Sequence, residues 1–245
     1  QYFQAMKYKY GTLLLAFLGW SSTYAQNFGG LKKAVESKVE TVAPSGLSEE
    51  EIAAGLKEAL NSGVEKGVTQ LSKPDGFFKD PEIKIPLPPE AQEVEKKLRA
   101  IGQGDKVDEA IESINRAAED AVIASKDIFV AAIKEMSLTD ALGILNGEDD
   151  AATTFLNKST RSSLEAKFKP SIKASLEKVG ATKHWNSVFS TYNKLPFVKK
   201  VNPDLEDYAT TKTIDGLFVQ IAKEELAIRK NPLARVSDLL KKVFK

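Results

Sequence analysis

Apolar side chains recur at three- and four-residue intervals along nearly the whole chain. No run alternates apolar and polar positions between hairpin turns, so the pattern predicts an all-α fold. Leu31 to Val42 reads as a short charged helix, broken by Pro44-Ser45-Gly46. Ser48-Glu49-Glu50-Glu51 has the form of a capping box, in which the serine oxygen accepts from an early amide and Glu51 reaches back. The helix it opens extends to about Leu71, with Ile52, Leu56, Leu60, Val64 and Leu71 near one stripe. Gly55, Gly63 and Gly67 interrupt that helix at about 1 kcal/mol each against alanine. The four-residue spacing of Gly63 and Gly67 predicts a close helix crossing.

Lys73 to Pro89 breaks the helical pattern. It holds Pro74, Pro81, Pro86, Pro88 and Pro89, yet also Phe77, Phe78, Ile83, Ile85 and Leu87. A disordered linker lacks such apolar content. The segment therefore reads as an ordered strap laid across helices, because its apolar side chains need burial. The competing functional reading is a proline-rich segment that binds a partner.

Helical spacing resumes at Glu90–Ile101, ended by Gly102-Gln103-Gly104. Lys106–Met136 is the longest uninterrupted pattern, either one helix or two with a tight bend. Ser137 or Thr139 caps a short helix that stops at Asn146-Gly147. Asp149 or Asp150 opens the next, running to Val179 with a bend expected at Pro170. Further helices are expected over Thr182–Asn193, from Asn202-Pro203-Asp204 onward, and from Asn231-Pro232 to Lys245. No repeat of fixed period occurs. The whole reads as a single-domain, irregular multi-helix bundle with a proline-rich strap.

The N-terminus changes the picture of where the chain works. Met6, Lys7 and Lys9 precede an apolar run from Leu13 to Leu18, and Thr23-Tyr24-Ala25 places small residues where a signal peptidase reads. Residues 6–25 thus read as a secretory signal peptide cleaved after Ala25. The expected organisation is a tag scar or upstream translation at 1–5, the leader at 6–25, an extension at 26–46 and a helical domain at 47–245. The expected location is periplasmic or secreted. The apolar run is short of the ~20 residues that a bilayer span needs, so no transmembrane segment is expected after cleavage.

The chain has no cysteine, which excludes disulfides, thiolate catalysis and cysteine metal sites. Its charge is close to balanced, 35 basic against 34 acidic residues. That argues against nucleic-acid binding, which needs a basic face.

Candidate chemistry is sparse. His184 is the single histidine, and no serine lies in a Gly-x-Ser-x-Gly turn. Glu148-Asp149-Asp150 lacks the alternating ligand spacing of a calcium loop and complements a helix dipole without any metal. Neither a metal nor a cofactor is expected. Arg116, inside the longest helical pattern, needs a partner if buried. Glu119 lies on its face three residues on, and Asp150, Tyr192 and Asp207 are candidates from elsewhere. These five residues form either a structural network or a pocket in which an arginine reads a carboxylate or phosphate group. The last helix, with Val236, Leu239, Leu240, Val243 and Phe244 on one side, docks on the core or touches an anionic membrane peripherally.

Several blocks occur together in order: Leu47-Ser48-Glu49-Glu50-Glu51-Ile52, Lys73-Pro74-Asp75-Gly76-Phe77, Asn115-Arg116-Ala117-Ala118-Glu119, Lys126-Asp127-Ile128-Phe129, Asp149-Asp150-Ala151-Ala152-Thr153, Tyr192-Asn193-Lys194-Leu195-Pro196-Phe197-Val198, Asp215-Gly216-Leu217-Phe218 and Leu239-Leu240-Lys241-Lys242-Val243-Phe244. Over about Leu47 to Lys245 they resemble domain of unknown function family 4197. The resemblance implies a secreted bacterial helical protein and carries no catalytic residues over. Many members resemble lipoproteins with a cysteine after the leader, and this chain lacks that cysteine.

The leading expectation is a non-enzymatic binding or envelope-associated domain whose partner is an envelope protein. The second is a carrier or sensor of a small amphipathic or anionic ligand between helices that carry Phe129, Phe155, Phe168, Trp185, Phe189 and Phe218. The third is a hydrolase using Glu119, Asp150 and Tyr192.

Overall fold

The computed structural model describes residues 47–201, 203–234 and 238–243. The expected leader, the residues before it and the 26–46 extension lie outside the described residues, as do 235–237, 244 and 245 of the expected last helix. In chain order the helices are α1 (Glu49–Leu71), α2 (Gln92–Ala100), α3 (Gly104–Ala121), α4 (Lys126–Glu135), α5 (Leu138–Leu145), α6 (Ala151–Lys178), α7 (Ala181–Asn193), α8 (Leu205–Lys230) and α9 (Asp238–Val243). The described residues contain no strand. The fold is all-α, as the periodicity predicts.

Long helices α6 and α8 pack together at the centre, with α1 against α8 and α3 against α6 and α7. The Lys106–Met136 pattern resolves into two helices, α3 and α4, joined by a 3₁₀ turn at Val122–Ser125. The aromatic residues singled out above mostly fill the core rather than line an open pocket: Phe129, Phe168, Trp185, Phe189 and Phe218 are all buried. Phe129 meets Phe218 edge to face at 5.8 Å, a favoured aromatic geometry.

Helix starts follow local chemistry where they are exposed. Ser48 Oγ accepts from Glu51 N at 3.2 Å while the Glu51 carboxylate accepts from Ser48 N at 2.8 Å. Ser137 and Asp140 repeat the arrangement at α5. Where a helix start is buried, the cap comes from elsewhere. Asp150 precedes α6 but makes no side-chain cap. Instead the Glu225 carboxylate of α8 accepts from Ala152 N at 2.9 Å and Thr153 N at 2.8 Å. Arg229 pairs with Glu225 at 2.8 Å and donates to the Ile144 carbonyl at 2.9 Å. One buried ion pair thereby serves the amide end of α6 and the carbonyl end of α5.

The glycine spacing of α1 does mark the α8 crossing. A Cβ at Gly63 would lie 3.5 Å from Ile228 Cδ1, and one at Gly67 would lie 3.4 Å from Gln220 Cγ. Those are ordinary contacts, so the tighter approaches lie elsewhere. A Cβ at Gly55 would sit 2.8 Å from Val243 Cγ2, where α9 docks on α1. A Cβ at Gly216 would sit 2.7 Å from the Phe77 ring, where the strap crosses α8.

Candidate functional site

The segment between α1 and α2 is an ordered strap. Phe77, Ile83, Ile85 and Leu87 are buried, while Pro81, Glu82, Lys84 and Pro86 remain exposed. An irregular segment has no ladder to satisfy its backbone, and buried backbone polar groups need partners. Helix α3 supplies them. Glu119 Oε1 accepts from Phe77 N at 3.0 Å and from Phe78 N at 3.1 Å. Asn115 Oδ1 accepts from Ile85 N at 2.8 Å, and its Nδ2 donates to the Ile85 carbonyl at 2.8 Å. Asn115 is fully buried, and its amide acts as a one-residue stand-in for a neighbouring strand. Tyr208 of α8 donates to the Pro86 carbonyl at 2.8 Å. Burial and the nearby Glu90 push the Tyr208 hydroxyl pKa up to about 12, so it stays a donor at neutral pH.

Arg116 completes the clamp. Its Nη1 reaches Glu119 Oε2 at 2.9 Å, and its Nη2 reaches Asp75 Oδ1 at 2.7 Å and Glu112 Oε1 at 3.1 Å. The Arg116 side chain is 29% exposed, so it does not bury its charge in the interior. Its protonated form is reinforced by Glu119 and Asp75. Lys79 first, then Arg116, hold the Asp75 carboxyl below the usual aspartate range. Asp75 adopts a positive φ of 70°, a conformation that aspartate tolerates better than most residues. The turn it makes aims its carboxylate at Arg116.

The strap walls two grooves. One, of about 630 Å³, is bordered by Lys73, Asp75, Lys79, Asp80, Glu82 and Lys223. Lys223 bridges Asp80 at 3.2 Å and Glu82 at 2.6 Å. The other, of about 320 Å³, lies between strap residues Lys84, Pro86 and Leu87 and α8 residues Tyr208, Lys212 and Val219. Opposing charges on a fixed frame can recognise a polar partner.

Of the five residues singled out from the sequence, the structure joins Arg116 with Glu119. No hydrogen bond or ion pair links Asp150, Tyr192 or Asp207 to that pair. Asp207 bonds Lys169 on the α6–α8 face. Tyr192 is buried in α7, and Asp150 is exposed before α6. Sequence reasoning missed Asp75, Glu112 and the clamping role of Asn115. The Glu112–Arg116 spacing of four was the available signal for one of them. His184 faces Glu109, its Nδ1 3.2 Å from a carboxylate oxygen. Asp149 pairs with Lys230 at 2.7 Å. Among the described residues no group of three or more acidic or histidine side chains could hold a metal ion. Nor is any helix there long and apolar enough to cross a membrane.

Fold and site together define an all-α helical domain with a side-chain-clamped strap between its first two helices. The family model of Protein of unknown function (DUF4197) matches residues 46–245, and the chain belongs to that family. No curated protein and no solved structure matches the chain.

Proposed function

We propose that this chain is an exported, non-catalytic binding domain of the bacterial envelope, and that the strap is its presenting element. The observation that carries the reading is the clamp: three strap amides and a strap carbonyl are bound by Asn115 and Glu119. A rigid scaffold under an irregular segment is the usual way in which binding loops are displayed. The leader pattern at 6–25 supports export. An anionic ligand at Arg116 is disfavoured, because it would face the carboxylates of Asp75, Glu112 and Glu119.

The test is photo-crosslinking in living bacteria, with a cross-linking residue at Lys79 or Lys84 and a control at Glu177 on α6. The expected result is one discrete adduct from both strap positions in the periplasmic fraction, absent from the control and lost in a Glu119→Ala background. Adducts equal at all three positions, or none at the strap, would overturn the reading. Hydrolysis by the purified chain that a single substitution abolishes would overturn its non-catalytic part.

A further inference from the structure

The loop between α7 and α8 exposes a bulky aromatic in a backbone conformation that such residues avoid. Phe197 has φ 63° and is 104% exposed, the most exposed large apolar side chain among the described residues. Positive φ is rare for a bulky residue, and such outliers persist only where the surroundings enforce them. Here they do. Asn193 Oδ1 accepts from Val201 N at 3.1 Å, and Asn193 Nδ2 donates to the Val201 carbonyl at 2.9 Å. Leu195, Val198 and Val201 pack against the core on either side. The loop is pinned at its base by an amide and by apolar contacts, yet its tip projects Phe197 into solvent.

The charges next to the tip bear on what it could touch. Lys194, Lys199 and Lys200 are all exposed. The stretch from 194 to 200 contains three lysines and no acid. Unlike Lys169 and Lys173, which pair with Asp207 and Glu206 nearby, these three have no ion-pair partner among the described residues. An aromatic tip flanked in sequence by exposed, unpaired lysines has the composition that anchors a protein at a lipid headgroup layer.

We propose that the 194–200 loop is a membrane-docking element, with Phe197 entering the interface of an anionic phospholipid bilayer and the three lysines contacting lipid phosphates. A protein partner would more often supply carboxylates in register with each lysine, whereas a lipid surface needs only local positive charge and an apolar probe. This proposal does not depend on the strap.

The chain has no cysteine, so Phe197→Cys can carry a polarity-sensitive fluorophore without interference. The chain from residue 26 onward, without the expected leader, is mixed with vesicles of phosphatidylglycerol and phosphatidylcholine, or of phosphatidylcholine alone. The expected result is a blue-shifted, brightened label with the anionic vesicles, little change with neutral ones, and little change for a label at exposed Ile123. Sedimentation with unlabelled chain should show Phe197→Gly weakening the anionic-vesicle binding roughly tenfold or more. The triple change of Lys194, Lys199 and Lys200 to Gln should weaken it roughly a hundredfold. Phe197→Gly removes no core contact, so the variant folds. A silent label at 197, equal responses to the two lipids or at Ile123, or unchanged binding by both variants would overturn the proposal. A carboxylate-rich peptide that alone protects the label would assign the loop to a protein partner and overturn it equally.

Discussion

The strap and the α7–α8 loop solve the same backbone problem with the same device and dispose of their aromatic residue in opposite ways. In each, one asparagine amide binds both the N–H and the carbonyl of a single residue: Asn115 with Ile85, and Asn193 with Val201. Each also carries a non-glycine residue at positive φ, Asp75 and Phe197. In the strap, the aromatic that follows the turn, Phe77, is fully buried against Gly216 of α8. In the loop, the aromatic occupies the turn itself and is fully exposed. An amide clamp therefore sets the path of an irregular segment without deciding what the segment does. That is decided by where the side chains fall and by the charges beside them. The strap's carboxylates are all cross-paired, Asp75 with Arg116 and Lys79, and Asp80 and Glu82 with Lys223. The loop's lysines are not.

The comparison breaks most visibly at the two phenylalanines. Phe77→Ala removes a fully buried ring and should cost about 3–5 kcal/mol. Phe197→Ala should change stability by less than about 0.5 kcal/mol. Urea denaturation of both variants checks this, and a comparable loss in both would mean that the loop aromatic is packed.

A second contrast lies in the clamps. Asn115→Ala leaves the buried N–H and carbonyl of Ile85 without partners and should cost on the order of 3 kcal/mol, since buried unpaired groups are expensive. Asn193→Ala acts where Val201 is only half-buried, so water can replace the amide and the loss should stay below about 1 kcal/mol. Hydrogen exchange at Ile85 and Val201 reads each clamp directly: each variant should lose protection at its own amide, from a high starting level at buried Ile85 and a lower one at half-buried Val201.

The smallest expected effect sharpens the electrostatic difference. Asp75 has its native pKa depressed below the usual 3.8 by Lys79 and Arg116. Its contribution to stability is therefore present above the unfolded-state value and lost as pH falls through the lower native one. On acidification below the ordinary aspartate range, the parent should lose more stability than Asp75→Asn does. The 194–200 loop has no carboxylate, so the Asn193→Ala variant should show the same acid profile as the parent. Denaturant midpoints from neutral to acid pH separate the two.

Much of the helical outline was legible because its signals are local. The Ser48–Glu51 box closes within one turn, Ser137 was one of two cap candidates for α5, and Arg116 meets Glu119 three residues away on one helix face. The strap was legible because apolar residues among prolines demand cover. What was illegible is long-range. Glu225 caps a helix that begins more than seventy residues earlier, displacing the aspartate that local rules favoured. Asp75 reaches Arg116 across forty-one positions. The exposure of Phe197 contradicts what its residue type favours, so no apolar pattern could announce it.

By itself, the sequence determined an all-α chain, most of its helix limits, an ordered strap and the family, because spacing, capping and turn chemistry act within a few residues. Only the tertiary structure decided which carboxylate caps α6, which residues clamp the strap and which aromatic stays in solvent. Those outcomes depend on which distant surfaces meet, and on the need of every buried polar group for a partner that neighbouring residues cannot supply.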